Sequence, residues 1–112
     1  MQVFIYGTLK KGQCRAFAMR GTFLGETRTL PKYRLNDLGA YPGLTKDGEN
    51  GKAIFGELWD VDENCLFSLD RIEGHPTLFK REAVELEHPD SKDTVAYFWQ
   101  GKLGKDCGVC WE

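Results

Sequence analysis

Residues 53–74 read Ala53-Ile54-Phe55-Gly56-Glu57-Leu58-Trp59-Asp60-Val61-Asp62-Glu63-Asn64-Cys65-Leu66-Phe67-Ser68-Leu69-Asp70-Arg71-Ile72-Glu73-Gly74. Two hydrophobic periods meet in this stretch. Ala53–Val61 is rich in apolar, β-branched and aromatic residues and predicts a strand, with Gly56 marking a bulge or a close backbone approach. Asp62 can accept from the first free N–H groups of a helix, and Glu63 suits the positive end of the helix dipole. Cys65, Leu66, Leu69 and Ile72 recur at spacings of three and four, which predicts a helix over Asp62–Ile72 with one apolar stripe. Gly74 and Pro76 stop it.

Strands surround this helix on both sides in the sequence. Upstream, Val3-Phe4-Ile5-Tyr6 is a β-branched and aromatic run ended by Gly7 and predicts a buried strand. Thr22–Leu30 and Tyr33–Leu38 hold strand-like stretches separated by Pro31. Ala40-Tyr41-Pro42-Gly43 and Asp47-Gly48-Glu49-Asn50-Gly51 predict turns. Gln13 to Arg20 has apolar residues at 14, 17 and 18 before Gly21, which predicts two helical turns with a glycine C-cap. Downstream, Leu78–Leu86 and Thr94–Gln100 predict a hairpin around His88-Pro89-Asp90-Ser91. Val84 and Leu86 alternate with Glu85 and Glu87, as in a half-exposed strand. Many strands with one or two short helices make an α+β fold, with a mostly antiparallel sheet curled toward a barrel.

The chain has 112 residues, 41% hydrophobic and 29% charged. That suits a single domain over residues 1–112, with about two-thirds of the extended surface available for burial. An aromatic content of 12% excludes a disordered chain. No apolar run approaches the roughly 18 residues of a membrane span. Met1-Gln2-Val3-Phe4-Ile5-Tyr6 has neither the basic start nor the apolar stretch of a secretory signal, so the expected compartment is the cytoplasm. There the four cysteines, 14, 65, 107 and 110, are expected as free thiols. The net charge of −2 predicts no nucleic-acid footprint. Residues 1–34 do carry Lys10, Lys11, Arg15, Arg20, Arg28, Lys32 and Arg34 against the single acid Glu26. This fits either a mosaic surface or a weak attraction for a small anion.

Two segments could carry chemistry. In Tyr6-Gly7-Thr8-Leu9-Lys10-Lys11-Gly12 a buried strand runs into a turn between two glycines. Such a turn can leave consecutive N–H groups aimed at one spot, an anion nest for a carboxylate or an oxyanion. An ordinary strand end fits the same residues. In Leu69-Asp70-Arg71-Ile72-Glu73-Gly74, Glu73 lies four residues after Leu69 and continues the apolar stripe inward. Burial, and secondarily the negative helix end, would raise its pKa toward the range of a general base. A frayed helix end with Glu73 in water is the alternative. Asp70 and Arg71 are expected on the solvated rim.

Other candidates carry less. Cys107-Gly108-Val109-Cys110 has redox spacing but no following helix, and a metal would need two further ligands, so a mobile tail with free thiols is expected. His75 and His88 precede prolines in turn-like contexts and are expected at the surface. Tyr97, Phe98 and Trp99 alternate along a strand and are expected to pack in the core. No phosphate loop or dinucleotide fingerprint is present.

These segments, with their order and spacing, resemble the γ-glutamylcyclotransferase-like family. The resemblance is nearest to the γ-glutamylamine cyclotransferases and short bacterial relatives. It runs from Phe4-Ile5-Tyr6-Gly7-Thr8-Leu9-Lys10-Lys11-Gly12-Gln13 through Tyr41-Pro42-Gly43, Phe55-Gly56-Glu57-Leu58-Trp59-Asp60-Val61-Asp62, Leu69-Asp70, Glu73 and Arg81 to about Tyr97. It implies a small barrel-like α+β fold with a cavity beside the first loop. It also implies conversion of a small γ-glutamyl compound to 5-oxoproline and a free amine, with no metal or cofactor. The family's carboxylate-binding loop maps onto Tyr6, Gly7, Thr8 and Leu9, and its catalytic glutamate onto Glu73. Phe79 stands where the family often has Tyr, so a hydroxyl is lost there. A non-catalytic carboxylate-binding domain of the same fold and a protein-interaction module built on the basic N-terminal segment remain as alternatives. The identity of the amine and the oligomeric state are not legible in the sequence.

Overall fold

A computed structural model describes residues 1–88 and 93–111. Its strands are β1 Gln2–Ile5, β2 Gly21–Arg28, β3 Tyr33–Asp37, β4 Pro42–Lys46, β5 Phe55–Val61, β6 Phe79–Ala83, β7 Val95–Trp99 and β8 Lys105–Asp106. The helix α1 spans Glu63–Glu73, between β5 and β6. The strands form an eight-stranded sheet in the order β2-β5-β1-β7-β4-β3-β8, with β6 also paired to β7.

β7 organises this sheet. Along one side it pairs antiparallel with β6, from Ala83 opposite Val95 to Phe79 opposite Trp99. It also pairs in parallel with β1 at Val95 and with β4 at Phe98. Beyond β6, Leu86 bridges back to Thr29 just past the end of β2. Leu30 donates to the Glu85 carbonyl and Glu87 to the Arg28 carbonyl, at 3.0 and 2.9 Å. The circuit β2-β5-β1-β7-β6 is thereby drawn shut, which is the expected curling toward a barrel. Both faces of β7 are covered. Ala96 and Phe98 pack with Phe4, Leu35 and Leu44, while Tyr97 packs with Val3, Ile5 and Leu69 of the helix.

The helix forms for the local reasons anticipated. The Asp62 carboxylate accepts from the Cys65 N–H at 2.8 Å, and Gly74 closes the other end in the left-handed region at φ 66°. Cys65 and Leu69 are buried, but Ile72 is 37% exposed and does not belong to the inward stripe. At about 100° per residue, Ile72 lies roughly 60° to one side of Leu69 and Glu73 roughly 40° to the other. The helix rolls toward Glu73.

Three further expectations need correction. Residues 13–20 do not make two α-helical turns; a single 3-10 turn spans Ala16–Ala18, and Gly21 opens β2 instead of capping a helix. A Cβ on Gly21 would lie 2.3 Å from the Asp60 carbonyl oxygen, so this glycine serves strand pairing. Pro42-Gly43 begins β4 and is not part of a turn, with Gly43 held against Trp99 and Leu38. Third, the tail is not free. Cys107 donates its N–H to the Leu35 carbonyl at 3.1 Å, Phe55 donates to Val109 at 2.8 Å, and Trp111 packs on the core. Gly56 is a close approach, where a Cβ would meet the Ile5 carbonyl oxygen at 2.4 Å. β6 and β7 form the expected antiparallel pair, and Val84 and Leu86 are buried while Glu85 is exposed. The predicted turn at Pro89, Asp90 and Ser91 lies outside the described residues.

Candidate active site

The loop after β1 is held from outside. Lys10 donates its N–H to the Gly7 carbonyl at 3.1 Å, and Arg15 donates to the Thr8 carbonyl at 2.8 Å. Lys11 donates its N–H to both carboxylate oxygens of Glu57 at 3.2 Å, and the Trp59 indole N–H donates to one of them at 3.1 Å. Lys10 extends its ammonium to the Trp111 carbonyl at 2.6 Å, so the loop also grips the C-terminal segment. Within this frame the buried residues Gly7, Thr8 and Leu9 donate no backbone N–H to any described residue. Three adjacent buried donors without partners are the arrangement expected of an anion nest.

A cleft opens beside these residues, with about 360 Å³ of empty space when the solvent at its open mouth is included. The loop residues 6–9 line one part of it, and Glu73, from the last turn of α1, lines another. Arg15, Tyr41 and Tyr97 complete the polar lining, and Phe79 contributes an apolar part. Glu73 is half-buried. Among the described residues its carboxylate accepts no hydrogen bond and forms no ion pair, so burial pushes its pKa up to about 7 while the Arg15 charge pulls the other way. An acid in that state exchanges a proton readily near neutrality. Glu73 and the loop 6–9, the two segments singled out in the sequence, line the same cleft.

The loop residues differ in what their side chains do. The Tyr6 hydroxyl donates to the Tyr97 carbonyl at 2.5 Å and accepts the Leu44 N–H at 3.1 Å. Its side chain is a strut between β7 and β4, and burial, reinforced by Glu73, raises its pKa far above that of free tyrosine. Leu9 packs in the core with Leu69. Leu9 thus stands among the lining residues while its side chain packs in the core.

Several positions depart from expectation. Asp70 is not on the rim: its side chain is 19% exposed, accepts from the Tyr97 hydroxyl at 2.7 Å and lies 3.6 Å from the Arg81 guanidinium. Tyr97 therefore carries a polar tie as well as a core face, and burial followed by the Asp70 bond raises its pKa. Arg71 is exposed, as expected. His88 is exposed, but His75 is half-buried and its Nδ1 accepts the Arg81 N–H at 3.0 Å, which fixes the entry to β6. All four cysteines are free, and burial, helped by Asp37, pushes the Cys107 thiol up. Among the described residues no three His, Cys, Asp or Glu side chains are grouped so that they could hold a metal ion. The roles of Arg15, Glu57 and Tyr41 escaped the sequence reading. Glu57 left a trace there: it alternates with Trp59 on one face of an apolar strand, where a carboxylate needs donors.

A model of the family described as gamma-glutamyl cyclotransferase, AIG2-like, matches residues 3–109. A protein of Vibrio cholerae is 40% identical over 84 residues, which is 74% of this chain and 70% of that protein. Gamma-glutamylaminecyclotransferase A of Danio rerio is 30% identical over 109 residues, covering 87% of this chain and 68% of its own. The crystal structure of an AIG2-like protein from Mus musculus superposes with a TM-score of 0.79 at 28% identity, over 99% of this chain and 84% of the other.

Proposed function

The chain belongs to the gamma-glutamyl cyclotransferase, AIG2-like family, and from that premise we propose that it releases 5-oxoproline and a free amine from a small γ-glutamyl compound, with Glu73 as general acid and base. The observation that carries this reading is the pairing in one cleft of an acid poised near neutrality with three unengaged backbone donors. The donors of Gly7, Thr8 and Leu9 would take the α-carboxylate of the glutamyl group. That leaves its α-ammonium and its γ-carbonyl toward Glu73.

The reaction needs little else. The α-nitrogen can reach its own γ-carbonyl carbon and close a five-membered ring, so the nucleophile is tethered in advance. Ionised Glu73 takes a proton from the α-ammonium. The freed amine attacks and the new C–N bond forms. The bond to the leaving nitrogen breaks as Glu73 returns the proton to it, and the second proton, shed by the ring nitrogen, passes through the same carboxylate to the departing amine, which leaves as an ammonium. One carboxylate serves both transfers, and no metal or cofactor is called for. The proposed setting is residues 1–112 acting as one domain in the cytoplasm; no helix among the described residues is long and apolar enough to cross a membrane.

The experiment is a panel of γ-glutamyl amines and γ-glutamyl amino acids assayed for 5-oxoproline, with the Glu73→Gln protein as control. Product from the native protein and its loss in the variant support the reading. Thermal stabilisation by these compounds without any product would replace the enzyme with a carboxylate-binding domain of the same fold.

A further inference from the structure

Arg15 is the one cation among the residues lining the cleft. Its backbone is tied by the bond to Thr8 to the loop that holds the free donors. Its guanidinium carbon lies 5.8 Å from the centre of the Tyr41 ring, which keeps it at the cleft. Among the described residues it has no carboxylate within ion-pairing distance. The planar fork of N–H donors that suits a carboxylate is therefore available to a ligand.

The reaction proposed above leaves that charge unexplained. The glutamyl carboxylate is matched by the donors of residues 7–9, and the two nitrogens are served by Glu73. That cyclisation does not require a fixed cation in the cleft, since the Arg15 charge lowers the basicity of Glu73 and repels the substrate ammonium. Its position makes sense if the substrate brings a second anion. In a γ-glutamyl α-amino acid this is the carboxylate one carbon away from the leaving nitrogen. It would lie next to the acid that must protonate that nitrogen. A simple amine brings no such group.

We infer that Arg15 binds the α-carboxylate of the departing amino acid, and that the chain acts on γ-glutamyl α-amino acids in preference to simple γ-glutamyl amines. This rests on the cyclotransferase reading and narrows it. The decisive pair is γ-glutamyl-alanine and γ-glutamylethylamide, which differ by that carboxylate alone. Formation of 5-oxoproline is measured for both with the native protein, Arg15→Gln and Arg15→Lys. The native kcat/KM should favour the alanine compound by about ten- to a hundred-fold, and Arg15→Gln should bring the ratio close to one. Arg15→Lys should restore part of it. Any change that reaches the rate through Glu73 alters both substrates by a common factor and cancels in the ratio. A native ratio at or below one, or the same ratio in Arg15→Gln, overturns the assignment to Arg15 and leaves the cyclotransferase reading standing. If neither compound yields 5-oxoproline, both fall together.

Discussion

Two glutamates lie on either side of the same loop, and they have opposite surroundings. Glu57, in the middle of β5, is 7% exposed and accepts from the Lys11 N–H and the Trp59 indole. Glu73, at the end of α1, is less deeply placed but has no donor among the described residues, and its pKa rises to about 7. Depth therefore does not decide what a buried acid does. A carboxylate with donors holds chain segments together, while one without them is left to exchange a proton. Glu57 fixes the loop from behind, and Glu73 faces the cleft that the loop helps to form.

Four measurements distinguish the two acids. The largest effect is expected from Glu73→Gln, which keeps the shape and removes the base; 5-oxoproline formation should drop by about 10²–10⁴ with little change in the unfolding midpoint. A variant with the native rate would end the assignment. Next comes pH. The folded-state pKa of Glu73 is raised, so its contribution to stability is fully present below about 4.5 and is lost as pH rises through about 7. Denaturant unfolding should show a decline of at most about 3 kcal/mol across that window, missing in Glu73→Gln. Activity should rise over the same interval as the base ionises.

Glu57→Gln should show the reverse of Glu73→Gln. Stability should drop by about 1–3 kcal/mol as two N–H donors face an amide. Activity should follow through a looser loop and a higher KM. Equal stability with a lost rate would erase the distinction between the two acids. The smallest effect is the coupling between Glu57→Gln and Trp59→Phe. A double-mutant cycle on unfolding should return about 1 kcal/mol for the indole bond alone, with the cost of the smaller ring cancelled.

Sequence legibility followed the range of the cause. Asp62, Glu63 and Gly74 act within a few residues of the helix they delimit, and α1 could be read to within one residue. Glu73 was placed on the correct side by its distance from Leu69, and the same rule misplaced Ile72 because a stripe has two edges. Gly21 and Gly43 misled because their smallness answers a neighbouring strand and not a turn. Arg15 was counted as part of a basic segment. Its place in the cleft with Glu73 depends on the fold bringing residues 6–15 to the end of α1, which no local spacing encodes. The loop 6–9 was recognisable, but the Tyr6 hydroxyl bonds to Tyr97 and Leu44 were not, since they join three separated strands.

The partnership of β7 has a kinetic corollary. β1 has β5 and β4 has β3 on one side, but Val3 must wait for Val95, and Leu44 for Phe98, before either strand is flanked on both. During synthesis the early strands leave the ribosome long before the segment that joins them. The loop-closure entropy of such distant encounters slows the search, which puts folding on the millisecond-to-second scale of topologies dominated by non-local pairing. Until β7 arrives, the edge of β1 is open to other chains, and misassembly rather than slow chemistry is the hazard this architecture carries while it is being made.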